Sequence, residues 1–157
     1  MQIELWSLGK ESSKLLEAGI EEYTKRINRY HSFKLVYIDN TKVPKYSPKE
    51  QLMDKEAELI FAKLGEKDLL ISLDERGKQF TSVNFAKKME NMMNLSPSKI
   101  IFLIGGSFGI AQKVKEKSHL VMTLSDFTFP HQLVRLLFTE QLYRAFTILK
   151  NEKYHHE

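Results

Sequence analysis

The chain has 157 residues, within the size of a single domain, and 42% hydrophobic residues with 11% aromatics supply one core. Cysteine is absent, which excludes disulfides, a thiol nucleophile and any thiolate-held zinc or iron–sulfur cluster. The net charge of +4 is uneven: residues 1–75 hold 12 Lys/Arg and 14 Asp/Glu, residues 76–119 hold 8 and 2, and residues 120–157 hold 4 and 4. In chain order, Ile3–Leu8 reads as a strand. A helix follows from about Ser12 to Tyr30, with Leu16, Ile20, Tyr23 and Ile27 at helical spacing. Phe33–Ile38 is the second strand and Asp39–Tyr46 a loop. Ser47-Pro48-Lys49-Glu50 then gives an N-cap Ser, Pro at the first helical position and Glu at the third. Met53, Ala57, Ile60 and Leu64 form that helix's buried stripe, and Gly65 closes it.

Leu69–Leu73 is the third strand, ending in the turn Asp74-Glu75-Arg76-Gly77. Ser82 caps a helix with Phe85, Met89 and Met92 inward. Ile100–Ile104 is apolar throughout, as in a central parallel strand buried on both faces. A short helix over Ile110–Lys117, a strand over Leu120–Leu124, a helix from about Pro130 to Lys150 and a tail, Asn151–Glu157, complete the chain. This alternation predicts a single α/β domain over 1–157: an open, mostly parallel sheet with helices on both faces. The amino-terminal MQIELWSLGK lacks a basic segment and carries Glu4, unlike a signal peptide. No run reaches the roughly 18 apolar residues of a membrane helix. The expectation is a soluble, cytoplasmic protein without a membrane partner.

Ligands of parallel α/β sheets bind beyond the carboxyl ends of the strands. Three turns share that edge: Leu73–Gly77, Gly105-Gly106-Ser107-Phe108-Gly109, and Leu124-Ser125-Asp126-Phe127-Thr128-Phe129. The glycine cluster permits positive φ and close approach of a ligand to the main chain, yet it fits neither the dinucleotide fingerprint nor a phosphate-binding P-loop. It reads either as a ligand turn or as a tight turn only. The Leu and two Phe of the third turn read either as a buried loop or as an apolar slot for a flat ring such as adenine. The basic block 76–119 reads as a solvated face or a phosphate footprint.

The last helix is apolar on almost every side, from Leu133 to Leu149, and should be buried partly in its own core and partly against another chain. Arg135, Glu140, Gln141 and Arg144 then need partners: an Arg–Glu pair, or arginines aimed at substrate phosphate. His131, His155 and His156 show no metal-ligand spacing, so no metal site is expected.

One set of residues is specific as a whole. Leu73-Asp74 with Gly77-Lys78, Ile104-Gly105-Gly106-x-x-Gly109, Leu124-Ser125-x-x-Thr128-x-Pro130-His131-Gln132 with Arg135, Glu140-Gln141-x-Tyr143-Arg144-Ala145 and Tyr154-His155 closely resemble the SPOUT-class ribosomal RNA large subunit methyltransferase H family, end to end. The resemblance implies a carboxyl-terminal trefoil knot, a homodimer, and S-adenosylmethionine as methyl donor. The acceptor it implies is N3 of a pseudouridine in helix 69 of 23S rRNA, on the assembled ribosome. Carried over by motif, the cofactor contacts are Leu73, Gly105, Leu124, Ser125, Asp126, Phe127, Thr128 and Phe129. His155 is the candidate base, Tyr154 its stacking or hydrogen-bonding partner, and Arg135 and Arg144 candidates for charge stabilisation or RNA phosphate contact. The alternatives are a SPOUT methyltransferase for another RNA position, a ribose 2′-oxygen or a tRNA base, and a ribosome- or RNA-binding factor that holds a nucleotide without chemistry.

Overall fold

The computed structural model describes residues 1–10, 13–44 and 46–156. Five strands, β1 (Gln2–Leu8), β2 (Phe33–Ile38), β3 (Leu69–Gln79), β4 (Lys99–Ile104) and β5 (Leu120–Thr123), form one sheet in the order β2-β1-β4-β3-β5. Every pairing is parallel. Five helices connect or follow them: α1 (Lys14–Ile27), α2 (Lys49–Lys63), α3 (Ser82–Asn94), α4 (Gln112–Lys117) and α5 (His131–Leu149).

Strand alternation divides the core into two layers. Ile3, Leu5, Ile71, Ile100 and Phe102 face α1, α3 and α5, where Phe85, Met89, Phe138 and Leu142 are fully or nearly fully buried. Trp6, Leu70, Ile101 and Leu103 face the opposite way, against Ala57 and Ile60 of α2 and Val114 of α4. The apolar run of β4 is buried on both sides because it is the central strand, flanked by β1 and β3.

The helix-start signals are displaced by one residue in two places. Pro48 rather than Ser47 occupies the N-cap of α2, and Thr81 rather than Ser82 caps α3, its Oγ1 accepting from the Asn84 N–H at 3.2 Å. Such ends are the least sharply determined feature of a helix pattern. Ser13 is the N-cap of α1; the predicted start at Ser12 lies outside the described residues, as do Lys45 of the predicted loop and Glu157 of the tail.

The third strand departs further from expectation. Instead of ending at Leu73, β3 makes an excursion over Asp74–Gly77 and then pairs again, Lys78 with Met122 and Gln79 with Thr123. Gly77 permits this return, because a Cβ there would lie 2.6 Å from the Met122 Cα. Helix α5 buries Phe138, Leu142, Ala145 and Phe146, whereas Leu133, Leu136 and Leu137 are only half covered by their own chain.

Candidate functional site

The three predicted turns meet in a cavity of about 550 Å³ at the carboxyl edge of the sheet. Leu73–Arg76 form one wall. Asp74 Oδ1 accepts from the Arg76 N–H at 3.0 Å, and its Oδ2 is 3.5 Å from Lys115 Nζ of α4. The glycine turn forms the second wall. Gly109 (φ +85°) donates its N–H to the Gly106 carbonyl at 2.9 Å, closing the loop. A Cβ at Gly105 would stand 2.7 Å from the Gly109 carbonyl carbon, so this glycine is required by the turn's own closure as well as by any ligand. The third wall, after β5, is shaped locally: Thr123 Oγ1 donates to the Ser125 carbonyl at 2.7 Å, and Ser125 Oγ accepts from the Phe127 N–H at 3.1 Å. A hydrogen bond of 3.1 Å from Thr128 Oγ1 to Glu75 Oε2 ties this wall to the first.

Of the eight residues expected to contact a cofactor, Leu73, Gly105, Leu124, Ser125, Phe127, Thr128 and Phe129 line this cavity. Asp126 is exposed and does not. Leu73, Ile104, Ile110, Leu124, Phe129 and Val134 supply apolar surface, as an aromatic ring requires. Phe127, 79% exposed, does not belong to a buried slot. Sequence reasoning missed Lys49 and Met53 of α2 and Lys115 of α4, which also line the cavity. Nothing local to those residues signals it; they arrive through the packing of their helices on the sheet.

The four residues expected to be catalytic lie elsewhere. Arg135 is buried beside β1 and β2, its Nε donating to Ser7 Oγ at 3.0 Å and its guanidinium 5.2 Å from the centre of the Tyr37 ring. Arg144, Tyr154 and His155 form one network at the far end of α5. Glu140 Oε1 accepts from Arg144 Nε at 3.0 Å, from Arg144 Nη2, and from the Tyr154 hydroxyl at 3.1 Å. This is the Arg–Glu pair expected on that helix. The Arg144 guanidinium lies 4.8 Å from the Tyr154 ring centre, and its Nη1 is 3.3 Å from His155 Nδ1. A guanidinium only donates, so this contact makes Nδ1 the acceptor and leaves the proton of a neutral ring on Nε2. Tyr23 of α1, unforeseen from sequence, meets Tyr154 hydroxyl to hydroxyl at 3.3 Å. Burial, then the Tyr23 contact and Glu140, raise the Tyr154 phenol above the ordinary tyrosine range.

From His131 at the cavity to Arg144 the helix advances about 20 Å. Within one chain, therefore, the tail network and the cavity are separate. The tail is held in place by its own side chains: the Tyr30 hydroxyl donates to Glu152 at 2.6 Å, and Tyr154 packs edge-on against Tyr143. The basic block is partly neutralised, since Lys99, Lys113 and Lys115 pair with Asp68, Asp54 and Asp74. Among the described residues no group of three or more His, Asp or Glu could hold a metal ion, and no helix is long and apolar enough to cross a membrane.

The family model described as "Predicted SPOUT methyltransferase" matches residues 1–155. The chain belongs to the SPOUT methyltransferases. Within this family it is 45% identical, over 157 residues and the whole of both chains, to the ribosomal RNA large subunit methyltransferase H of Flavobacterium johnsoniae. It is 41% identical to the protein of that name from Streptococcus thermophilus strain LMD-9, over 99% of each chain. Two solved structures share the fold. A probable methyltransferase from Bordetella pertussis Tohama I superposes with a TM-score of 0.58 at 10% identity, over 92% of this chain and 94% of that one. A probable methylase family protein from Haemophilus influenzae Rd KW20 gives 0.54 at 17% identity, over 99% of this chain and 70% of that one. A SPOUT methyltransferase is an enzyme, which sets aside the non-catalytic reading.

Proposed function

We propose that this SPOUT methyltransferase transfers a methyl group from S-adenosylmethionine to N3 of a pseudouridine in helix 69 of 23S rRNA, as a cytoplasmic homodimer acting on the assembled ribosome. The observation that carries the reading is the cavity at three strand ends, together with full-length similarity to ribosomal RNA large subunit methyltransferases H. Its volume falls within the roughly 300–1,000 Å³ of small-molecule sites. Its apolar walls suit the adenine ring, its turn backbone offers N–H and C=O groups, and the Asp74 and Glu75 carboxylates suit hydroxyl or ammonium groups. When bound, the cofactor supplies an electrophilic methyl on a sulfonium. The cavity residues Leu73, Gly105 and Leu124 would hold the cofactor, from which the methyl would pass to N3 with the C–S electron pair staying on sulfur and the N3 proton going to water.

The protein's task is alignment and stabilisation of the deprotonated ring. A donor on His155 Nε2 and the Arg144 charge suit that anion. This shifts His155 from base to hydrogen-bond donor, since its accepting nitrogen already faces Arg144. Arg135, buried against Ser7 and Tyr37, suits the positioning of α5 beneath the site better than direct contact with phosphate.

The separation of tail and cavity supports a dimer in which each tail completes the partner's site. The half-covered Leu133, Leu136 and Leu137 are the surface a second copy would bury. The carboxyl-terminal trefoil knot belongs to this reading through the resemblance to the family; residues of the 124–134 stretch, the 74–77 excursion and the glycine turn line one cavity. Mass mapping of rRNA after incubation of unmethylated ribosomes with enzyme and cofactor tests the activity. A single added methyl at N3 of a helix 69 pseudouridine is expected; a methyl on ribose, or on tRNA only, overturns the assignment. Sedimentation at low micromolar concentration is expected to show a dimer, and an active monomer would refute in-trans completion. Protein-free rRNA is expected to react poorly, because the net charge is only +4 and several lysines of the basic block are already paired with carboxylates.

A further inference from the structure

Glu56 of α2 is 3% exposed, and no step proposed above uses it. Burying a carboxyl costs free energy that an apolar side chain of the same size would avoid. Its surroundings indicate what it is for. Oε1 accepts from Asn40 Nδ2 at 3.1 Å, in the loop after β2. The carboxyl lies against the glycine turn so closely that a Cβ at Gly106 would stand 2.6 Å from Oε1 and 2.7 Å from Oε2. Asn40 in turn lies against Gly9, whose φ of +75° ends β1, with a Cβ there 3.3 Å from Asn40 Oδ1. Gly9, Asn40, Glu56 and Gly106 thus form a continuous polar brace across the carboxyl edge of the sheet, on the α2 side. Met53, one turn before Glu56 on the same helix, lines the cavity.

We infer that Glu56 is a positioning residue that holds the Gly105–Gly109 wall of the cofactor cavity from behind, with Asn40 fixing the orientation of its carboxyl. Its shape and hydrogen bonding set the position of the main chain that the ligand meets. Burial raises the Glu56 carboxyl above its usual range, against the opposing effect of the Asn40 donor. The inference rests on the cavity being the S-adenosylmethionine site.

The test is a double-mutant cycle read by calorimetric affinity for S-adenosylmethionine and by amide hydrogen exchange of residues 105–110 without ligand. Glu56→Ala is expected to weaken binding about 10-fold and to speed exchange in the turn. Gly106→Ala, which drives a methyl into the carboxyl, is expected to weaken it about 10-fold as well. The double variant should lose no more than either single one, because the truncated side chain makes room for the methyl. Glu56→Gln, which keeps the shape and can still accept from Asn40, should retain most of the affinity, whereas Glu56→Asp, which withdraws the group, should not. The Gln and Asp pair decides the matter even if Glu56→Ala fails to fold. Losses that multiply to about 100-fold in the double variant overturn the inference, as does wild-type affinity with unchanged exchange in Glu56→Ala or Glu56→Asp. If the wild-type protein binds no S-adenosylmethionine, the cofactor assignment falls and this inference with it; if it binds and the cycle is additive, only the inference falls.

Discussion

At the carboxyl edge of the sheet, the cavity walls are largely main chain: the 74–77 excursion of β3, the glycine turn after β4 and the self-bonded loop after β5. At the far end of α5 the material is the reverse. There a helix end and a seven-residue tail bring together Arg144, Glu140, Tyr154, His155 and Tyr23 through side chains alone. A main-chain wall can be occluded by a single carbon but tolerates changes of charge around it. A side-chain network loses function one group at a time and leaves the wall intact. The two regions should therefore fail differently: the first in ligand affinity, the second in turnover.

The largest expected effect is removal of residues 151–157. Turnover on ribosomes should fall by about 10³-fold, within the span that positioned proton-transfer and charge-stabilising groups contribute. Affinity for S-adenosylmethionine should stay within about twofold, because none of the described tail residues lines the cavity of its own chain. Paired single-turnover and calorimetric measurements separate the two, and a parallel loss of affinity would place the tail in the donor site. Conversely, Gly105→Val should weaken cofactor binding by up to about 100-fold, since overpacking costs about 1–3 kcal/mol. Its Cβ would meet the Gly109 carbonyl carbon and Ile110 Cγ1 at 2.7 Å. Unchanged affinity in this variant would remove the glycine turn from the site.

The same contrast governs what could be read from the sequence. The cavity was legible because main-chain features leave local marks: apolar runs give the strands, and a parallel sheet places their ends on one edge. The return of β3 was not, since Lys78 and Gln79 are polar and their pairing depends on Gly77 lying over Met122, far along the chain. At the tail, Tyr154, His155 and Arg144 stood out by chemistry and resemblance. Their separation from the cavity did not, because it depends on where α5 starts and on the docking of Tyr154 and Glu152 against α1 and the residues after it. Asp126 lies outside the cavity lining for a similar reason: a motif carries a whole loop into the site, but with the turn bond between Ser125 and Phe127 that residue is exposed.

A smaller change sharpens the role of His155. If Nε2 donates while Nδ1 faces Arg144, His155→Gln keeps a donor of similar reach and should lose about 10-fold in turnover, less than His155→Ala. Were His155 the base, the two variants would be equally impaired.

The smallest effect concerns how the tail is held. Burial, then Glu152, raise the Tyr30 phenol above the ordinary tyrosine range, as burial, Tyr23 and Glu140 do for Tyr154. A group whose folded pKa is raised stabilises fully below its unfolded value, about 10 for tyrosine, and that contribution disappears as pH rises through the folded value. Tail docking should therefore be constant through neutral pH and loosen only in strong alkali. Spectrophotometric titration should show a late-ionising phase to which Tyr30 and Tyr154 contribute, and Tyr30→Phe with Tyr154→Phe should diminish it. Each hydrogen bond lost is worth about 0.5–1.5 kcal/mol, and the lower end applies here because the Tyr30–Glu152 contact is exposed to solvent. The double variant should thus be slightly less stable than wild type at pH 8, with the difference narrowing above about pH 10 as the same phenols ionise in the unfolded wild-type chain. A stability gap that instead widens with pH would mean that a phenol is held as phenolate, with Arg144 over the Tyr154 ring rather than Glu140 as its governing partner.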